Sequence, residues 1–404
     1  GPHACARTSR SETNPSSRLL PTATLDACKM LPRTAPLLMP ERDPKLVSLD
    51  LALIGFGNVG RRFVKLLEEQ RKALLRDHHL DCRVIGITTG RHGTAMRRQG
   101  LDLRSAVRLV ESGGQLDVLH DAGAKPVPTD TQLFIERFAD LSNDNPRVVV
   151  ETTTLDVSTG EPAIGHVRAA INSGAHVITT NKGPAAFAYH ALRDEAKAVG
   201  VSFLLEGTVL DGIPTFNLVR DTLPTVRITG FRGVLNSTTN HILTVMEQGG
   251  SAAEALAEMQ AQGIAEADAS LDVEGWDAAA KTAALANVLM DARLTPRAIA
   301  RTGLLELTES TVREAFLHGR RFKLVASVAR HEGVVSGTVA PIELDTNDPL
   351  AHLDGQANAV VLMTDLLGEI VITQREGGLT QTAFGLSTDL VTIRRRMSKL
   401  NQLN

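Results

Sequence analysis

The sequence predicts an α/β protein in two parts: a doubly wound, largely parallel sheet first, then an α+β domain. Three observations carry this expectation. A glycine-rich turn joins an apolar strand to an amphipathic helix at residues 55–60. Short apolar runs then alternate with helical segments as far as VSFLLEGTV. Beyond Thr215, RITGFRGVL and VASVARHEGVVSGTVAPIEL read as strands with helices between them.

The first strand lies in LDLALI. The turn after it, Gly55-Phe56-Gly57-Asn58-Val59-Gly60, satisfies G-x-G-x-x-G in the setting that pattern needs, between strand and helix. Gly55 permits the turn, Gly57 lets a pyrophosphate approach the backbone, and Gly60 lets helix and strand pack closely. The helix carries apolar Val59, Phe63, Leu66 and Leu67, and its N-terminus offers open N–H groups and a positive dipole end to a phosphate. This is a Rossmann-type dinucleotide site, so NAD or NADP is the expected cofactor. The second strand, CRVIGITTG, ends where the adenosine ribose lies. An NAD-preferring site usually has Asp or Glu there; this chain has Thr88, Thr89 and then Arg91, whose pairing with a 2′-phosphate tilts the reading toward NADP.

Further α/β units follow. LRSAVRLVESG and TQLFIERFADLS read as helices, RVVVETTT as a buried parallel strand and EPAIGHVRAAINSG as a helix. AHVITTNKGP is a strand ending in a polar turn, AAFAYHALRDEAKAVG is helical, and VSFLLEGTV is again a strand. Ligands of such a sheet bind at the carboxyl ends of its strands, where Thr152, Thr153, Asn181 and Lys182 fall.

Composition narrows the function classes. The 404 residues are 43% hydrophobic and 22% charged, enough to bury a sizeable core in two domains. A net charge of −3 leaves no basic footprint for nucleic acid or an anionic membrane, and 3% aromatics leave no base-stacking surface. Cys5, Cys28 and Cys82 lack metal spacing and suggest a reducing compartment, hence a cytoplasmic protein. His78-His79 ends a helix without a third ligand. Residues 1–45, rich in Ser, Thr, Pro and Arg, read as a disordered extension ahead of a start at Met39 or as an organellar transit peptide; the former is favoured.

The stretch GIAEADASLDVEGWDAAAKT crowds Glu266, Asp268, Asp272, Glu274 and Asp277 ahead of an alanine-rich helix whose one cation is Lys281. Asp277 and Lys281 are four apart, so they share a helix face and their side chains meet. An amino-acid substrate needs carboxylates for its ammonium group and a cation for its carboxylate, and this segment offers both signs.

Taken in order, VITTNKGP, FRGVLNSTTNHIL and GIAEADASLDVEGWDAAAKTAALA resemble the homoserine dehydrogenase family, from about Leu49 to Ile393. The resemblance implies an NAD(P)-dependent oxidoreductase that interconverts homoserine and aspartate 4-semialdehyde in threonine, methionine and isoleucine biosynthesis, working as a homodimer. It implies that Lys182 exchanges a proton with the substrate oxygen, with Asp277 and Lys281 as catalytic partners. Glu266, Asp272 and Thr238 would contact the substrate. Glu206 and Val209, in LLEGTVLDGIP with Asp211 and Ile213, would belong to a loop that binds sodium in the family. A lysine can serve as acid and base if burial lowers its pKa from about 10.4. The domains would be 46–214 for nucleotide, 215–344 for substrate and dimerisation, and 345–404 returning to the first. No appended regulatory domain is expected.

Four departures from the family pattern stand out: Asp211 in place of a small residue, Ser237 in place of Gly, Ala269 in place of Pro, and Gln374-Arg375-Glu376-Gly377-Gly378 in place of a G-P-G-A-G loop. The last leaves open a relative acting on another amino-acid alcohol or semialdehyde. A non-catalytic dinucleotide sensor is the remaining alternative, and a sensor needs no proton relay.

Overall fold

Strand β1 (Val47–Ile54) is buried on both faces, and the first sheet grows around it. The computed structural model describes residues 45–121, 125–142, 145–261 and 269–403. Beside β1 run β2 (Leu80–Thr88), β3 (Thr94–Met96), β4 (Arg147–Glu151), β5 (His176–Thr179) and β6 (Phe203–Leu204), in the order β3-β2-β1-β4-β5-β6. All neighbours are parallel except β2 and β3. Leu49, Leu51 and Leu53 face α1 (Asn58–His78) and α2 (Leu103–Glu111), while Ala52 and Ile54 face α3 (Thr131–Leu141) and α4 (Ala163–Asn172). Helices α5 (Lys182–Phe187) and α6 (Tyr189–Val199) complete the alternation.

The strand expected from VSFLLEGTV is cut short. It pairs only at Phe203–Leu204 and passes into a 3-10 turn at Glu206–Thr208, because the Glu206 N–H is drawn to the Asp389 carboxylate at 2.9 Å. A short helix, α7 (Thr215–Asn217), leads into the second sheet. That sheet comprises β7 (Ile228–Val234), β8 (Ala300–Arg301), β9 (Arg320–His331), β10 (Val334–Asp345), β11 (Asn358–Thr364) and β12 (Glu369–Gln374), in the order β12-β11-β7-β9-β10-β8. One face packs on α8 (Ser237–Glu247), α9 (Ala252–Ala261), α11 (Trp276–Leu289) and α12 (Glu309–Leu317); the short α10 (Ser270–Val273) precedes α11.

The return to the first domain, expected from residue 345, begins later. Strands β11 and β12 stay in the second sheet because β11 pairs along β7, from Ala359 opposite Val234 to Thr364 opposite Ile228. Only α13 (Leu379–Leu403) goes back, burying Ala383, Leu386, Leu390 and Ile393 with β1 and α1. Its backbone touches the loop after β6: a Cβ on Gly385 would stand 2.6 Å from the Gly207 Cα. Among the described residues, no helix is long and apolar enough to cross a membrane.

Under the second sheet, Lys323 is fully buried, donating to Asn240 Oδ1 at 3.0 Å and the Leu353 carbonyl at 2.6 Å, with Glu247 3.9 Å away. Burial pushes its ammonium down to about 8, and Glu247 offsets part of that cost. Between that value and the ordinary lysine pKa of about 10.4, the unfolded chain holds this proton and the folded chain releases it. Stability carried by this group is therefore expected to rise with pH across that window. Lys323→Met should remove the rise, measured by urea denaturation at a series of pH values spanning it.

Candidate active site

Strand ends β4 and β5 are locked to each other before the site begins. Glu151, fully buried at the end of β4, accepts from the Thr153 N–H at 3.1 Å, the Thr179 hydroxyl at 2.9 Å and the Thr153 hydroxyl. Asn181 follows β5; its carbonyl oxygen caps α5 through the Gly183 N–H at 2.8 Å, and its NH2 reaches the Thr153 carbonyl at 3.0 Å. The next residue, Lys182, is thereby aimed out of the first sheet at the second domain.

It meets Asp277 there. The carboxylate lies in the first turn of α11, which starts after Gly275 at φ +81. Lys182 Nζ is 3.3 Å from Asp277 Oδ1, and Lys281 Nζ is 2.9 Å from Oδ2. Asn236 donates from one NH2 to both Asp277 at 3.0 Å and Asp272 at 2.7 Å, while its oxygen caps α8 through the Thr239 N–H at 2.8 Å. Lys281 also donates to the Leu235 carbonyl at 2.7 Å. Thr238, buried in the first turn of α8, stands two residues beyond Asn236. Glu266 and Asp268 lie outside the described residues.

Burial opposes the Asp277 charge, but Lys281 and Lys182 outweigh it and hold the carboxyl well below its usual range. Burial also works against the Lys281 ammonium; Asp277 overcomes this and raises its pKa, with Asp211 contributing. Asp272 is pushed upward, first by burial and then by the Asp277 charge. The result is a fixed anion between two ammonium groups, beside a second carboxyl of weaker acidity. Such a site can pair with both charges of a zwitterion and hand a proton to an oxygen placed next to Lys182.

The glycine turn is shaped for a dinucleotide. Gly55 has φ +91, and a Cβ there would stand 2.8 Å from the Thr152 carbonyl group, whereas Gly57 faces open space before the α1 N-terminus. Thr152 donates its hydroxyl to the Gly55 carbonyl at 3.0 Å. Phe56 is buried and Val59 half-buried, both packing into the core rather than toward a ligand, and Asn58 accepts from Arg61 at 2.7 Å. At Gly60 a Cβ would lie 3.1 Å from the Gly55 carbonyl oxygen, the close helix–strand approach expected of the third glycine. A cavity of about 520 Å³ runs from Gly55 past Thr88–Gly90 to Thr153 and His166. Its open backbone cradle and polar walls fit NAD or NADP. Arg91 is exposed and does not line it.

The loop expected to hold sodium is committed elsewhere. Glu206 gives its two oxygens to the Phe216 and Asn217 N–H groups at 2.9 and 2.8 Å, and burial raises it to about 7. Asp211 accepts from the Gly378 N–H at 3.2 Å and the Thr382 hydroxyl at 2.9 Å. The Ile213 carbonyl takes the Thr215 N–H at 2.7 Å, and Val209 is buried. Among the described residues, no group of three or more His, Cys, Asp or Glu is placed to hold a metal ion. Asn236 and the Leu235 carbonyl are the site groups that sequence reasoning passed over, although both stand in FRGVLNSTTN; a polar residue just before a helical run is the cap signal that marks Asn236.

A dinucleotide cradle and a lysine–carboxylate cluster along one edge of a doubly wound sheet define a nicotinamide-dependent dehydrogenase. Residues 214–391 match the homoserine dehydrogenase family, and residues 55–206 its NAD binding domain. The chain is 36% identical over 352 residues to the NAD(+)-dependent homoserine dehydrogenase of Pseudomonas canavaninivorans, covering 85% of this chain and 95% of that protein. It is 34% identical to the homoserine dehydrogenase of Methanocaldococcus jannaschii, covering 85% and 98%. A hyperthermophilic archaeal homoserine dehydrogenase solved with NADPH superposes with a TM-score of 0.70 at 28% identity, covering 87% and 98%. This chain belongs to the homoserine dehydrogenase family.

Replacing Asn236 with Ala removes the cap and the shared donor together. The cap alone is worth about 1 kcal/mol of stability. Losing the donor leaves two carboxyl groups facing each other, and kcat/KM is expected to fall about tenfold or more. Denaturation and steady-state kinetics on one preparation separate the two; a stability loss with unchanged kcat/KM would reduce Asn236 to a cap.

Proposed function

We propose that Lys182 is the general acid and base of this NAD(P)-dependent homoserine dehydrogenase, with Asp277 and Lys281 orienting the substrate. The reaction is the reversible oxidation of L-homoserine to L-aspartate 4-semialdehyde. The nicotinamide ring, when bound, takes or returns the hydride. One observation supports the assignment of roles: an ionised Asp277 touching an ammonium group from each domain.

Lys182 sits at the end of β5, on the sheet edge that carries the cofactor cradle, so its ammonium is the group best placed to give a proton to the aldehyde oxygen as hydride arrives on carbon. The neutral amine left behind takes the hydroxyl proton back in the oxidative direction. Asp277 holds that ammonium in place without competing for the proton, its own pKa being depressed. Asp272, with Glu266 from the same acidic segment, would receive the substrate ammonium, and Thr238 would bound the pocket. Lys281, kept charged by Asp277, balances the acids and offers a cation to the substrate carboxylate.

A homodimer is supported by the outer face of the second sheet, where Val334, Ile342 and Val371 are exposed on one side. The free thiol of Cys82, pushed up to about 12 by burial, suits a reducing compartment such as the cytoplasm. Light scattering after size exclusion will report the dimer.

Lys182→Ala is expected to lower kcat by about a hundredfold or more while NADH or NADPH affinity stays within about twofold. Normal turnover in that variant would remove Lys182 from the chemistry.

A further inference from the structure

Strand β2 ends at Thr88 and runs into Thr89-Gly90, without the acid that usually receives an adenosine 2′-hydroxyl. The fold supplies one from another segment. Residues 114–117 are stitched onto the turn that follows β2. The Leu116 N–H donates to the His92 carbonyl at 2.8 Å, the Gln115 amide donates to the Arg91 carbonyl at 3.3 Å, and His92 Nδ1 lies 2.9 Å from the Gly114 carbonyl. Asp117 is thereby brought to the end of β2, its Oδ1 accepting from the Thr94 N–H at 3.0 Å. Gly93 makes room for it: a Cβ there would overlap that oxygen, and its φ of +70 already favours glycine.

Asp117 lines the cofactor cavity beside Thr88, Thr89 and Gly90. The other acid on that wall, Asp130, is engaged in capping α3 through the Leu133 N–H at 2.8 Å. Among the described residues, no Lys or Arg lines the cavity. A 2′-phosphate would therefore meet a carboxylate with no cation to balance it, whereas a 2′-hydroxyl would meet a hydrogen-bond acceptor.

We propose that Asp117 selects NAD over NADP, accepting from the ribose 2′-hydroxyl and repelling a 2′-phosphate. The proposal rests on the reading that this cavity takes the adenosine half of the cofactor. It reverses the preference that Arg91 suggested, because tertiary contacts bring an acid to the wall while Arg91 stays off it.

Binding to the cofactor-free protein tests it without reference to turnover. NADH and NADPH are titrated by their fluorescence, and ADP is competed against adenosine 2′,5′-bisphosphate, neither of which carries nicotinamide. NADH and ADP are expected to bind about tenfold or more tighter than their 2′-phosphorylated counterparts. Asp117→Asn keeps the acceptor for the Thr94 N–H and loses the charge, so it should narrow the ratio by about fivefold; Asp117→Lys should invert it. Equal or tighter binding of NADPH by the native chain, or an unchanged ratio in Asp117→Asn, would overturn the selection. Failure of all four ligands to bind would instead overturn the assignment of the cavity, and the selection with it.

Discussion

A carboxylate taken out of bulk water is tolerable only with its charge balanced, and Asp277 finds that balance in two ammonium groups. Lys281 comes from the same helix, one turn on, and would be there in any fold that kept α11 helical. Lys182 comes from the end of β5, ninety-five positions earlier. The second pairing constrains the whole molecule, since it requires the carboxyl edge of the first sheet to face the start of α11. Asn236 and the Leu235 carbonyl then complete the cluster, so the β7–α8 junction is fixed by the same carboxylate. Removing Asp277 would leave two neighbouring cations with no anion between them, which is why its effect cannot be confined to one domain.

The covalent crossings between the domains are fastened in the same spirit. The chain leaves the first sheet through residues 206–213 and comes back through residues 374–378. Asp211, on the outgoing strand of this crossing, binds the Gly378 N–H and the Thr382 hydroxyl on the incoming one. Asp211 also has φ 50, a left-handed conformation that Asp tolerates better than most residues. Three of the four departures from the family pattern, Asp211, Ser237 and the 374–378 loop, are neighbours. Gly377 leaves no space for a Cβ, which would stand 2.7 Å from Asp211 and 3.8 Å from Ser237 Oγ, and Ser237 accepts from Asn358 at 3.1 Å. A bulkier, more polar loop is thus matched by a carboxylate that binds the Gly378 N–H, with the Ser237 hydroxyl held close by through Asn358.

Legibility in the sequence followed the range of the interaction. The β1–turn–α1 unit was readable because each glycine answers a local demand, and the Asp277–Lys281 pair because helix geometry sets neighbours four apart. The meeting of Lys182 with Asp277 was accessible only through resemblance to a family, since no local pattern relates positions so distant. Asp117 gave no signal at all: it is an acid in an irregular segment, and only its bonds to the turn after β2 give it a place. Arg91 is the converse case, following β2 closely in sequence yet exposed and absent from the cavity lining. An apolar strand such as AVVLM does not declare which sheet will pair with it, and here it pairs with β7.

A double-mutant cycle on kcat/KM with Lys182→Met and Asp277→Asn measures directly whether Lys182 and Asp277 act as a pair. Strong coupling, of about 2 kcal/mol or more, is predicted, with the double variant little worse than the poorer single one. Losses that add to within about 0.5 kcal/mol would show two independent residues and contradict it.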